Sequence, residues 1–216
     1  MLLTLLAVAA LAGAPADEAD LLAAAMAHFQ ALDSYRVTLR SASARHAPQR
    51  IHYSYRRPGW LRLDFDTPHH GAVLVYDPGS REVRLWPFGL GHFPQLKLAP
   101  DNRLIRDPYG HTVDRSHVGV LLENVQRLLQ HGSLERAQMA PLGHWQAWPV
   151  TVTGGDGQAV DGVHRFQLWL ERDHLFPLKV VSYGADGAEL ETVWMDDVEF
   201  DVTLPDDWFQ PQRASQ

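Results

Sequence analysis

Twelve histidines and two adjacent carboxylate pairs, Asp196-Asp197 and Asp206-Asp207, are the residues of this chain whose types could bind a metal or move protons. A metal needs its ligands on one face, as a His-x-x-x-His pair on a helix supplies them. His69-His70, His111 and His117 fall in or near irregular stretches without that spacing, and Asp107-Pro108-Tyr109-Gly110-His111 reads as a turn. Neighbouring residues of a strand point to opposite faces, so both Asp pairs read as solvated surface charge. The chain has no Cys, hence no thiol nucleophile and no disulfide. It has no Gly-x-Ser-x-Gly elbow and no phosphate loop, and Gly154-Gly155-Asp156-Gly157 lies in a hairpin rather than between a strand and a helix. No catalytic residue, metal or cofactor is assigned, and an enzyme is not expected.

The chemistry that remains is apolar recognition. Ile51, Tyr53 and Tyr55 share one face of a strand, and Leu61, Leu63 and Phe65 share one face of the next. Val73 and Val75, then Phe166, Leu168 and Leu170, then Val193 and Met195, alternate in the same way. Most of these side chains are expected to fill a core. Trp60, Leu74, Trp169 and Trp194 lie on the opposite faces, however, so several strands are apolar on both sides. Such a sheet needs helices on one side and more core, a partner protein or a hydrophobic ligand on the other.

The elements that must position these residues follow from periodicity. Residues 17–34 form a helix on which Leu21, Leu22, Ala25, Met26, Phe29 and Leu32 make one stripe. Asp17, Glu18 and Asp20 fall in its first turn, where carboxylates suit the helix dipole. From Tyr35 the period becomes two. Strands are expected at about 49–56, 60–66, 72–76 and 81–86, separated by Pro- and Gly-containing turns. Residues 87–112 have no clear period, and a connection that long is usually functional or mobile. A second helix begins near Asp114, carries a stripe from Val118 to Leu129 and stops at Gly132. Strands at about 133–140, 145–153, 163–171, 176–184 and 188–202 complete an α+β layout. So many antiparallel strands do not stay flat, and the expected fold is a strongly curved antiparallel sheet, an unclosed half-barrel, with helices covering its concave face.

Composition sets further bounds. At 216 residues one core suffices, and 45% hydrophobic with 21% charged residues is ordinary for a folded domain. A net charge of −7 argues against nucleic-acid binding, which needs a basic face. Leu2–Ala12 is too short an apolar run for a comfortable membrane span, and Ala14-Pro15-Ala16 before Asp17-Glu18 has the form of a signal-peptide cleavage site. The region before the run lacks Lys and Arg. Residues 1–16 are therefore read as an export signal cleaved near Ala16, 17–211 as one domain and 212–216 as a disordered tail.

The stretch Tyr55-Arg56-Arg57-Pro58-Gly59-Trp60-Leu61-Arg62-Leu63, followed by Thr67-Pro68, Val75-Tyr76-Asp77 and Leu85-Trp86-Pro87-Phe88, resembles the LolA-like family of periplasmic lipoprotein carriers. The C-terminal half fits more loosely, through Phe176-Pro177-Leu178-Lys179, Asp186-Gly187 and Leu204-Pro205-Asp206-Asp207-Trp208-Phe209. The resemblance implies a periplasmic, monomeric carrier with an unclosed apolar barrel. It would accept the acyl chains of a lipoprotein or similar lipid from an inner-membrane transporter and pass them to an outer-membrane acceptor. The family's turn arginine corresponds to Arg57, which there holds the helical lid by hydrogen bonds to backbone carbonyls. The apolar position three residues after the turn proline corresponds to Leu61. The implied lining comprises Leu61, Leu63, Phe65, Tyr53, Tyr55, Val73, Val75, Phe166 and Leu168. Residues 87–112 and the many His and Trp depart from the family pattern and leave the cargo open.

A carrier of this kind works by differential burial, since each acyl methylene moved from water into an apolar pocket contributes about 0.8 kcal/mol. The alternative is a non-transport envelope sensor or protein-interaction module on the same fold. A metal-dependent hydrolase using the His-rich loops is the weakest reading.

Overall fold

The computed structural model describes residues 18–106, 110–205 and 207–211. The elements, in chain order, are α1 (Glu18–Ala31), β1 (Ser34–Ala42), β2 (Gln49–Arg56), β3 (Trp60–Thr67), β4 (Val73–Asp77), β5 (Glu82–Trp86) and β6 (Leu96–Leu98). A 3-10 turn at Val113–Arg115 then leads into α2 (Val118–Leu129), followed by β7 (Gly132–Arg136), β8 (Ala140–Leu142), β9 (Trp145–Gly154), β10 (Arg165–Glu171), β11 (Pro177–Tyr183) and β12 (Glu189–Phe200).

All twelve strands join one antiparallel sheet in the order β6-β5-β4-β3-β2-β1-β12-β11-β10-β9-β7, with β8 also on β9. Each half is a meander of sequence neighbours, as hairpin turns favour. The halves meet at one non-local seam, where β1 pairs with β12 through Tyr35↔Phe200, Leu39↔Met195 and Ala42↔Thr192. Two ion pairs, Arg36 with Glu199 at 2.9 Å and Arg40 with Asp196, cross that seam. Among the described residues β6 and β7 are the two ends of the ladder, so the sheet is open.

Local chemistry accounts for the turns. The Asp77 carboxylate accepts from the Gly79 N–H at 2.8 Å and fixes the β4–β5 hairpin. Gly132 does not merely stop α2; it begins β7 where a Cβ would lie 2.1 Å from the Thr153 carbonyl oxygen, so only glycine fits the ladder. The two helices touch each other and both pack on β7. Helix α1 buries Leu21, Leu22, Ala25 and Phe29; α2 buries Val118, Val120, Leu122, Val125 and Leu128.

All of these helix residues but Val120 form one large core with the sheet face that carries Tyr35, Val37, Tyr53, Tyr55 and Leu61. A separate small core, Val73, Val75, Trp86 and Phe209 with Trp60, Leu204 and Trp208, occupies the other face of β3–β5. Two expected elements differ. The strand expected at 133–140 is broken into β7 and β8, and residues 87–112 contain the three-residue strand β6, too short to show a period.

Candidate ligand cavity

Two chambers lie on the helix-bearing face. The larger, about 510 Å³, has a floor of Tyr35, Val37 and Leu39 on β1, Ile51 and Tyr53 on β2, and Val193 and Met195 on β12. Phe166 and Val180 extend the floor along β10 and β11, and Val118 and Leu121 of α2 face it. The smaller chamber, about 390 Å³, is bounded by Phe65, Leu74, Leu85, Leu104 and Ile105. Ile51, Leu63 and the segment 111–112 with Ser116 belong to both, so one wall divides them. Volumes and linings of this kind suit a small apolar ligand.

Strand register explains the floor. Leu39 opposes Ile51, Ile51 opposes Phe65 and Tyr53 opposes Leu63, so a continuous apolar row runs across the three strands β1, β2 and β3. The row continues across the seam through Leu39↔Met195 and beyond it through Val180↔Val193.

One end of the larger chamber is closed by an aromatic stack. Tyr35 lies 5.0 Å from Tyr55 and 5.9 Å from Tyr53, and Phe29 of α1 reaches Tyr55 at 5.4 Å, each centroid to centroid. The His117 ring, at the N-terminus of α2, stacks on Phe29 at 5.7 Å. Tyr53 donates its hydroxyl to the Ser116 carbonyl at 3.4 Å, and the Val118 N–H donates to the Tyr35 hydroxyl at 3.4 Å. Burial raises the pKa of both phenols, which remain neutral and tether α2 to the sheet. Burial also lowers the pKa of His117, against the opposing pull of Glu123. Its Nδ1 is buried without a hydrogen-bond partner, so the ring is held as a neutral aromatic.

The expected lining residues divide. Tyr53, Leu63 and Phe166 line the larger chamber, and Leu63 and Phe65 the smaller. Tyr55, Leu61 and Leu168 lie on the same face but are core residues behind the chamber walls. Val73 and Val75 are a correction: they point to the opposite face and pack on Phe209. Leu63 pairs with Leu74 and Leu61 with Tyr76, which puts Leu74 and Tyr76 on the cavity side. The β4 run Val-Leu-Val-Tyr has no polar residue to reveal its phase.

Arg57 lies outside the cavity, at the end of α1. Its Nη1 donates to the Gln30 carbonyl at 3.0 Å, its Nη2 pairs with the Asp33 carboxylate, and its N–H donates to the Asp33 carbonyl at 2.9 Å. A guanidinium fork can serve two acceptors at once, and here it joins the β2–β3 turn to the last turn of α1. The contact to a helix carbonyl is the kind that the resemblance implied.

The histidines are dispersed. His69 stands edge-on to Phe65 at 6.2 Å beside the smaller chamber, His111 and His117 line the larger, and His174 binds the Glu171 carboxylate at 3.1 Å. Among the described residues no group of three His, Asp or Glu could hold a metal ion. Asp196 is paired with Arg40, while Asp206 lies outside the described residues, as do the expected leader 1–16 and tail 212–216.

Two contributions escaped the sequence reading. One is the cavity-facing segment 110–118, whose only sequence signal was a long aperiodic connection. The other is a C-terminal strap: the Trp208 carbonyl accepts from Arg62 at 2.9 Å, the Phe209 carbonyl accepts from Arg84 at 3.0 Å, and Arg62 stacks on the Trp208 ring at 4.0 Å.

The fold is an open antiparallel sheet with two helices and an apolar cavity on one of its faces. No protein-family model and no curated protein sequence matches the chain. Solved structures do. Lipoprotein LppX from Mycobacterium tuberculosis matches at 9% identity over 87% of this chain and 97% of its own, with a TM-score of 0.52. MucB, in its complex with MucA from Pseudomonas aeruginosa, matches at 18% identity over 91% of this chain and 62% of its own, with a TM-score of 0.51. A LolA superfamily protein from Nitrosomonas europaea matches at 13% identity over 91% and 98% of the two chains, with a TM-score of 0.41. At these identities what this chain shares with LppX and MucB is the fold.

Proposed function

We infer that the protein is an exported binding protein of the periplasm that holds the acyl chains of a lipoprotein, or of another lipid, in the two-chamber cavity and carries them toward the outer membrane without catalysis. The observation that carries this reading is the adjacent pair of chambers, about 510 and 390 Å³ with one wall between them, floored by an apolar row through six strands. The helices act as a lid over the concave face, α1 held at one end by Arg57 and α2 by Tyr35 and Tyr53. Opening at the 110–118 segment would break the bonds from Tyr53 to Ser116 and from Val118 to Tyr35. A lid that closes over an empty cavity competes with cargo, so release to a better acceptor needs no chemical step. An inner-membrane donor and an outer-membrane acceptor follow from this reading as partners.

Displacement of a fluorescent fatty acid by a series of acyl chains of increasing length tests it. At 0.8 kcal/mol per methylene, each added carbon should raise affinity about fourfold until the cavity is full. Absence of acyl binding, together with no lipid retained in native mass spectrometry, would refute it. A second reading, an envelope interaction module, is favoured by the likeness to MucB in its complex with MucA. Recovery of a stoichiometric protein partner by a chain that binds no acyl probe would select it.

A further inference from the structure

The three most exposed large apolar side chains among the described residues all lie between β5 and α2, on segments whose Pro87 and Leu104 line the smaller chamber. Phe93 is 88% exposed, Leu104 73% and Phe88 67%. A single apolar side chain on a surface is ordinary, but several large ones at a cavity mouth mark a site of interaction. Phe88 and Phe93 belong to the loop between β5 and β6. The pairing Val73↔Trp86 sets this loop beside the one joining β3 to β4. Gly89 packs so closely on that neighbour that a Cβ would come within 3.2 Å of the Gly71 carbonyl oxygen. Pro87 and Leu104 line the chamber itself, so the exposed rim is continuous with the chamber wall.

The charge there runs against the rest of the chain. Residues 67–72 and 87–95 contain no acid and three histidines, His69, His70 and His92. Residues 96–106 add Arg103 and Arg106 against Asp101, and Lys97, which pairs with Glu82 at 3.4 Å, with Asp107 following in the sequence, in a chain of net charge −7. Aromatic and aliphatic tips beside cations suit the boundary between anionic headgroups and acyl chains. A protein partner would more usually be met by anchors seated in a packed pocket, whereas these tips project from a glycine-flanked loop.

We propose that Phe88, Phe93 and Leu104 insert into the surface of an anionic phospholipid bilayer and set the mouth of the smaller chamber against it, so that an acyl chain passes between bilayer and cavity without crossing water. This rests on the cavity reading only for what passes through the mouth; the docking is measured separately. The intact protein is sedimented with vesicles of phosphatidylglycerol and phosphatidylcholine, and with phosphatidylcholine alone. The protein should favour the anionic vesicles and leave them as salt is raised. The double variant Phe88→Ser/Phe93→Ser should lose about tenfold or more in partition, with melting temperature and acyl-probe affinity unchanged. A Phe93→Trp variant should be quenched by lipids brominated on their acyl chains. Failure of the wild-type protein to bind vesicles, equal partition of the double variant, or an unquenched Trp on bound protein would overturn the docking, including where a protein is captured through Phe93 instead. Loss of acyl-probe binding alone would count against the cavity and leave the docking standing.

Discussion

Gly119, in the first turn of α2, offers a test in which two ordinary effects oppose each other. Alanine in place of an interior helical glycine normally stabilises by about 1 kcal/mol. Here the added Cβ would lie 2.5 Å from Cε1 of Phe29 and 3.0 Å from the His117 ring. Phe29 cannot swing aside, because Tyr35, Tyr55 and His117 surround its ring with centroids 5.4–6.4 Å away. Overpacking of this kind costs about 1–3 kcal/mol, so it should win. Gly119→Ala is then expected to destabilise by about 1 kcal/mol net, lowering the melting temperature by about 2–4 °C for a chain of this size. Urea and thermal unfolding measure the effect, and a double-mutant cycle identifies its cause. On a Phe29→Ala background, itself about 3–5 kcal/mol less stable, the same substitution should become stabilising. A stabilising Gly119→Ala in the wild-type protein, or the same change in both backgrounds, would show that α1 and α2 are not locked through this ring.

Other expectations concern the remaining contacts. The lowered pKa of His117 means that the unfolded chain binds a proton more readily than the folded one. Stability should therefore fall as pH drops below about 6.5, down to the lowered folded value, and His117→Phe should flatten that part of the melting-temperature profile relative to wild type. Phe209 is wholly buried on the face opposite the cavity, so Phe209→Ala should cost about 3–5 kcal/mol in urea unfolding while acyl-probe affinity in the folded protein stays unchanged. Arg57→Leu should leave folding intact and change the rate at which a loaded acyl probe passes to acceptor vesicles; an unchanged transfer rate would make Arg57 a purely structural cation.

What could be read in advance depended on whether polar residues marked the phase of each strand. In β2 and β3, His52, Ser54, Arg62 and Asp64 alternate with the apolar row, which marks the phase that puts Tyr53, Leu63 and Phe65 on the cavity side. In β4 four apolar residues in succession satisfy either phase, and only pairing with β3 selects Leu74 over Val73 and Val75. Periodicity marks the helices of the roof but not the contacts that hold them to the sheet. The bond from Val118 to Tyr35 joins residues 83 positions apart, and no local pattern announces such a contact. The strap is similar: Trp208 and Phe209 read as a chain end until Arg62 and Arg84 are seen to hold their carbonyls.

The β1–β12 seam has a consequence for when the protein becomes competent. Arg36 and Glu199, which clasp across it, are 163 positions apart, so closing it costs on the order of 4–5 kcal/mol of chain entropy that neither hairpin meander repays alone. Leu39 on one side and Met195 on the other share the larger chamber. Until the final strand has been made and docked, the larger chamber lacks the part of its floor that Val193 and Met195 supply. Once formed, the seam is bridged by whatever occupies the chamber, and an occupant adds its own mass-action stability to that junction. The loaded protein should thus resist proteolysis longest at its two most distant strands, and the emptied one should open there first.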